Sequence, residues 1–124
     1  MVVFCHKLLK DRITHVEKHN EATGVAHVLG NKGGVAVAMV VKDTRLCFVN
    51  SHLTAHQHQT KRRNDDVKEI IEGVKFGYQG MDVLHQFHHL LWMGDLNYRF
   101  VLVDRIDDWG LETGDWGLGL RFGD

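Results

Sequence analysis

There is no proline in this 124-residue chain, although average usage of about 5% would put roughly six there. Proline-rich and collagen-like architectures are thereby excluded, and turns have to be read from glycine. Cysteine is nearly as scarce. Cys5 and Cys47 are the only two, one near the start and one inside an apolar run, which excludes a disulfide framework and fits buried thiols in a reducing compartment, the cytosol by default. Nowhere do about 18 apolar residues run together, and residues 1–10 carry only a short apolar stretch with no small-residue cleavage site, so neither a membrane-spanning helix nor a secretory leader is expected. An excess of one charge is also missing. Lys and Arg number 15 against 16 Asp and Glu, for a net charge of -1, which argues against the broad basic field of a non-specific nucleic-acid binder. Any anion must be gripped locally.

What is present has the profile of one soluble globular domain at most, with 44% hydrophobic and 25% charged residues. The ten histidines mostly stand singly among polar neighbours, where a solvated imidazole is the simplest reading. Residues 2–4 have the composition of a short strand, and the mixed segment 6–19 places Leu8, Leu9, Ile13 and Val16 at near-helical spacing. A β-favouring stretch at 25–29 is interrupted by Gly30, Asn31, Lys32, Gly33 and Gly34, a glycine-dominated turn. Residues 35–41 read as a strand buried on both faces. After a turn at 42–44 the apolar run resumes at 45–50, so the two form an antiparallel hairpin. The clearest helix is 60–74, with Val67, Ile70, Ile71 and Val74 at offsets of three, four and seven, and its apolar stripe is expected to pack on a sheet. Residues 87–93 form a further short strand that ends abruptly at Gly94, Asp95, Leu96 and Asn97. Beyond Phe100 the pattern weakens into a glycine-rich tail with near-duplicate Asp-Trp-Gly-Leu pieces at Asp108 and Asp115.

Three strand ends carry the candidate chemistry, because a sheet fixes the backbone while the loop beyond exposes the group. Asp95 and Asn97, two apart after a glycine, put one carboxylate and one neutral amide on a shared face. The carboxylate can orient or deprotonate a water, and the amide can donate to a phosphoryl oxygen without adding negative charge. His52, after another strand, can hold positive charge near a crowded phosphate. Lys32 lies on a turn whose backbone amides could help cradle a phosphate, although the turn lacks Walker spacing. Each piece alone has a bland reading: Gly-Asp-x-Asn as a plain turn, Arg63 and Asn64 with Lys61 and Arg62 as a solvated first helical turn, and Trp92 as core. A zinc cluster of His52, His56 and His58 is set aside for want of a Cys or carboxylate at fitting spacing.

Together, and in this order, Asn31-Lys32-Gly33-Gly34, the run Phe-Val-Asn-Ser-His-Leu at 48–53, Arg63-Asn64, and Trp-Met-Gly-Asp-Leu-Asn-Tyr-Arg at 92–99 resemble the inositol polyphosphate 5-phosphatases. The last run is the specific one, since related nucleases share only its Gly-Asp-x-Asn core. The resemblance implies an α/β fold, part of a four-layered α/β sandwich of the endonuclease, exonuclease and phosphatase superfamily with mostly antiparallel strands. Residues 1–100 would be the central part of the catalytic domain and 101–124 a divergent tail. It implies hydrolysis of the 5-phosphate of phosphoinositide lipids or soluble inositol phosphates with magnesium (Mg2+), at the cytosolic face of membranes, with no nucleic-acid partner. By position, His52, Asp95 and Asn97 would be catalytic. Asn31, Lys32, Arg63, Asn64, Tyr98 and Arg99 would form the substrate-binding set, with Tyr98 and Arg99 also securing their loop.

The chain departs from the family where the magnesium-binding Glu, an early Asn, a Pro-x-Trp-Cys-Asp-Arg motif and a late Ser-Asp-His motif would fall. None of these is present, so no metal ligand is assigned and weak or absent activity is the expectation, with uncovered apolar strand faces prone to aggregation. Two other classes fit the same residues. One is a nuclease or phosphodiesterase using Asp95, Asn97 and His52; the other is a non-catalytic phosphoinositide-binding fragment that uses Lys32 and the basic patch 61–63 at an anionic membrane.

Overall fold

The computed structural model describes residues 1–24, 31–78 and 80–99. These build a four-stranded sheet of β1 (Ile13–Ala22), β2 (Gly33–Val41), β3 (Thr44–His52) and β4 (His89–Asp95), in that spatial order, with the helix α1 (Thr60–Gly73) between β3 and β4. The first two pairings are antiparallel and β3–β4 is parallel. The sheet is therefore mixed but mostly antiparallel. No helix among the described residues is long and apolar enough to cross a membrane.

The alternation of side chains along a strand assigns the two faces. Gly34, Ala36 and Ala38 of β2, with their β3 partners Ser51, Val49 and Cys47, lie on the face that α1 covers. Their small size is what lets the helix approach, since a Cβ at Gly34 would sit 2.9 Å from Ile70 Cγ2. Val49, Ile70 and Val74 are fully buried, each contributing about 1.5–3 kcal/mol of hydrophobic stabilisation. Cys47 lies in the same layer, and burial pushes its thiol up to about 11. On the opposite face Val35, Leu91 and Met93 are 36%, 45% and 40% exposed. Burial of 35–41 on both faces thus fails at Val35.

The expected hairpin is present, with Val41 facing Thr44 across Lys42 and Asp43. The expected helix is present too, its Val67 and Ile71 packed on the core beside Ile70 and Val74. Other expectations need correcting. Residues 2–4 form no strand, and Phe4 is 91% exposed; β-propensity alone cannot hold a strand that has no ladder partner. The near-helical spacing of 6–19 splits into a 3-10 turn, Lys7–Arg12, and the start of β1, because pairing with β2 overrides local preference. Phe87 precedes β4 rather than opening it and packs edge-on against Phe76 at 5.9 Å. Cys5 is exposed, not buried. The stretch 25–29 and the tail 101–124 lie outside the described residues.

Candidate active site at one rim of the sheet

Antiparallel pairing brings the start of β2 beside the end of β3, and parallel pairing brings the end of β3 beside the end of β4. Gly33 is opposite His52, and His52 is opposite Asp95. Three chemically active residues thereby line up across adjacent strands at one rim. Lys32 Nζ lies 2.7 Å from His52 Nε2, and the same nitrogen lies 3.7 Å from Asp95 Oδ2. When the imidazole is neutral, this nitrogen can accept from the lysine ammonium; when protonated, it can face the carboxylate instead. The side chains of His52 and Asp95 are 51% and 66% exposed, so both remain open to a ligand.

The rim is held by backbone. Leu53 N–H donates to Asp95 O at 3.0 Å, extending the β3–β4 ladder by one step. Gly94 has φ of 124°, and a Cβ there would fall 2.0 Å from Ser51 O, so only glycine lets β4 close on β3 at this point. Behind it, Trp92 Nε1 donates to Ser51 Oγ at 2.9 Å. Asn97 takes a left-handed φ of 55°. Its backbone N–H donates to Asp95 Oδ1 at 3.2 Å and its side-chain Nδ2 to Leu53 O at 3.0 Å. One Nδ2 hydrogen and the Oδ1 of Asn97 remain for a ligand. Asn31, exposed, and Lys32 line a shallow depression of about 420 Å3 with Asn50 and His52.

The remaining residues of the expected substrate-binding set are placed differently. Arg63 is 1% exposed, which overturns its reading as part of a solvated helical turn. Its Nη1 donates to His56 O at 2.5 Å and Thr54 O at 3.4 Å, and its Nη2 to Gln57 O at 3.3 Å and Thr60 Oγ1 at 3.0 Å. The guanidinium organises the β3–α1 connection. Tyr98 lies over it, with Cζ 5.1 Å from the ring centroid, and Tyr98 OH donates to Asn64 Oδ1 at 2.5 Å. Arg99 is exposed.

Of the basic patch 61–63, only Lys61 is exposed. Arg62 lies 2.9 Å from Asp66 and 3.0 Å from Glu69. The first contact is close but poorly aligned for a hydrogen bond, since Asp66 Oδ1 has no hydrogen-bonding partner. The hydrogen bond from Arg62 holds the Glu69 carboxyl below its ordinary range and raises the guanidinium in return. Asp66 is a buried structural carboxylate that sequence reasoning missed. Fully buried, it accepts Thr54 N–H at 2.8 Å. Its signal was the offset of three from Arg63 and four to Ile70, along the buried stripe of α1.

Among the described residues no three His, Cys, Asp or Glu side chains come together as a metal site. Among the described residues Asp95 is the one carboxylate paired with His52 at the rim, whereas magnesium wants near-octahedral oxygen coordination. These residues do not by themselves fit a resident magnesium ion. His56 and His58 stack at 6.1 Å instead of converging on a metal with His52.

Residues 1–108 match the family model described as Endonuclease/Exonuclease/phosphatase family 2. The human phosphatidylinositol 3,4,5-trisphosphate 5-phosphatase 1 is 40% identical over 116 residues, which cover 91% of this chain and 9% of that protein. The mouse phosphatidylinositol 3,4,5-trisphosphate 5-phosphatase 2 is 41% identical over 93 residues, 73% of this chain and 7% of that one. The chain thus spans less than a tenth of the length of these relatives. Among solved structures, the inositol polyphosphate 5-phosphatase domain of SPsynaptojanin, in complex with inositol (1,4)-bisphosphate and calcium ion, superposes with a TM-score of 0.69. That match has 36% identity and covers 79% of this chain and 27% of that one. With the shared rim motifs and the mixed sheet, these matches establish that the chain belongs to the endonuclease/exonuclease/phosphatase family 2, within its inositol polyphosphate 5-phosphatases.

Proposed function

We propose that this chain carries part of the catalytic site of a phosphatase that removes the 5-phosphate from phosphoinositides or inositol polyphosphates at the cytosolic face of a membrane, with magnesium. The observation that carries the reading is the row Lys32, His52 and Asp95 across three adjacent strand ends. A phosphate monoester arriving there meets two groups able to hold positive charge and one carboxylate. Hydrolysis of such an ester depends on positioning and charge neutralisation more than on covalent chemistry.

In this reading Asp95 orients the attacking water and takes its proton. His52 stabilises charge on the phosphoryl oxygens, and the free amide hydrogen of Asn97 donates to one of them. Lys32 and Asn31 grip a second ring phosphate in the adjoining depression. The water oxygen bonds to phosphorus as the bond to the inositol oxygen breaks; that oxygen takes a proton from solvent as it leaves as a hydroxyl, and Asp95 returns its own proton to solvent. The described residues do not complete a metal's surroundings.

The test is release of inorganic phosphate from a 4,5-bisphosphorylated phosphoinositide, with and without magnesium, by this chain and by Asp95→Ala. Magnesium-dependent release that falls by about 10²–10⁴-fold on substitution is expected for loss of an acid–base group. Release that survives the substitution would remove Asp95 from the mechanism. No release from the parent chain would mean that it does not turn over by itself.

A further inference from the structure

Tyr98 follows Asn97 directly, yet its polar end is engaged by α1 and not by a residue of the Lys32–His52–Asp95 row. Its hydroxyl donates to Asn64 Oδ1, and its ring covers the Arg63 guanidinium. Arg63 is itself immobilised, buried and held by three carbonyls and the Thr60 hydroxyl. The first turns of α1 thus present a fixed platform on which an aromatic ring can stack and hydrogen-bond at once.

The residue next to that ring needs holding. Asn97 sits at φ 55°, a conformation that side chains other than glycine adopt at a cost and keep only where their surroundings determine it. From Asn97 one bond runs to the Asp95 carboxylate and another to Leu53 O, and Leu53 N–H returns to Asp95 O. A continuous path of contacts therefore joins α1 to the carboxylate through Tyr98, Asn97 and Leu53.

We infer that Arg63, Asn64 and Tyr98 form a clasp that docks residues 95–98 onto the head of α1, making Tyr98 a positioning residue for Asp95 and Asn97, not a phosphate ligand. The clasp is a matter of structure alone; its effect on turnover rests on the phosphatase reading above.

Tyr98→Phe and Asn64→Ala alter exposed side chains and spare the buried Arg63, so both variants are expected to fold. Amide hydrogen exchange is the first readout. Each substitution should speed exchange at Leu53 and Asn97 by about tenfold, the equivalent of one lost hydrogen bond. The β2–β3 ladder should be unchanged, and the double variant should be no faster than either single one. Unchanged rates at Leu53 and Asn97, additive effects, or a uniform acceleration through β2–β3 would overturn the clasp.

Kinetics on the phosphoinositide substrate supply the second readout. Both variants should lower kcat with KM unchanged; a rise in KM for Tyr98→Phe that Asn64→Ala does not share would make Tyr98 a substrate ligand and refute the positioning role. If the parent chain releases no phosphate, it does not turn over by itself, and hydrogen exchange alone decides the clasp.

Discussion

Arg63 carries a charge into the protein and meets carbonyls, a hydroxyl and a ring face, with no carboxylate among its described partners. Lysine cannot reproduce that fork, because its single ammonium has neither the planar spread of donors nor the stacking surface. Arg63→Lys is expected to lower stability by about 2–3 kcal/mol, from backbone acceptors left without donors. Urea unfolding followed by tryptophan fluorescence would measure it, and a midpoint equal to that of the parent would show that the buried fork is dispensable. His52 and Asp95 were legible in the sequence because a strand that stops at a polar residue leaves that residue at a rim whatever the register. Arg63 was not. Position 63 continues the stripe of Ile70 and Val74 backwards by about two and three turns, but nothing local reveals that the connection at 54–60 turns its carbonyls inward and needs a donor.

The end of β4 depends on one residue without a side chain. Gly94→Ala would place a Cβ 2.0 Å from Ser51 O at φ 124°, whereas Gly24, at φ 122°, has nothing among the described residues within 4 Å of its Cβ position. Comparing the two alanine variants separates backbone strain from collision. Gly24→Ala is expected to cost about 1–3 kcal/mol from conformation alone. Gly94→Ala should cost clearly more and should also shift the NMR signals of His52 and Asp95; equal losses at the two sites would mean that β4 relaxes away freely. At this scale the sequence was legible where one element explains its own pattern: α1 through its apolar stripe, and the β2–β3 hairpin through two apolar runs around a short turn. It was illegible where a neighbour decides. The spacing of Leu8, Leu9, Ile13 and Val16 is consistent with a helix, yet pairing of Ile13 and Thr14 with Val41 and Val40 draws the segment into β1. Phe87 has the composition of a strand residue but is taken by Phe76.

For the molecule as a whole, the sheet has one face covered by α1 and another on which Val35, Leu91 and Met93 stay well exposed. Such a surface favours association. Sedimentation is expected to show self-association that grows with concentration and is relieved by Leu91→Lys with Met93→Lys; a monomer at every concentration would show that the face is tolerated in water. The mixed strand order also governs when the rim comes into being. The β2–β3 hairpin can form locally, but β4 reaches β3 only after α1 and the following loop have closed, and the contact between Leu53 and Asn97 spans 44 residues. Closing so long a segment is entropically slow compared with zipping a hairpin. In a refolding experiment the Lys32–His52 half of the rim would therefore come together early, and Asp95 would arrive with the last strand.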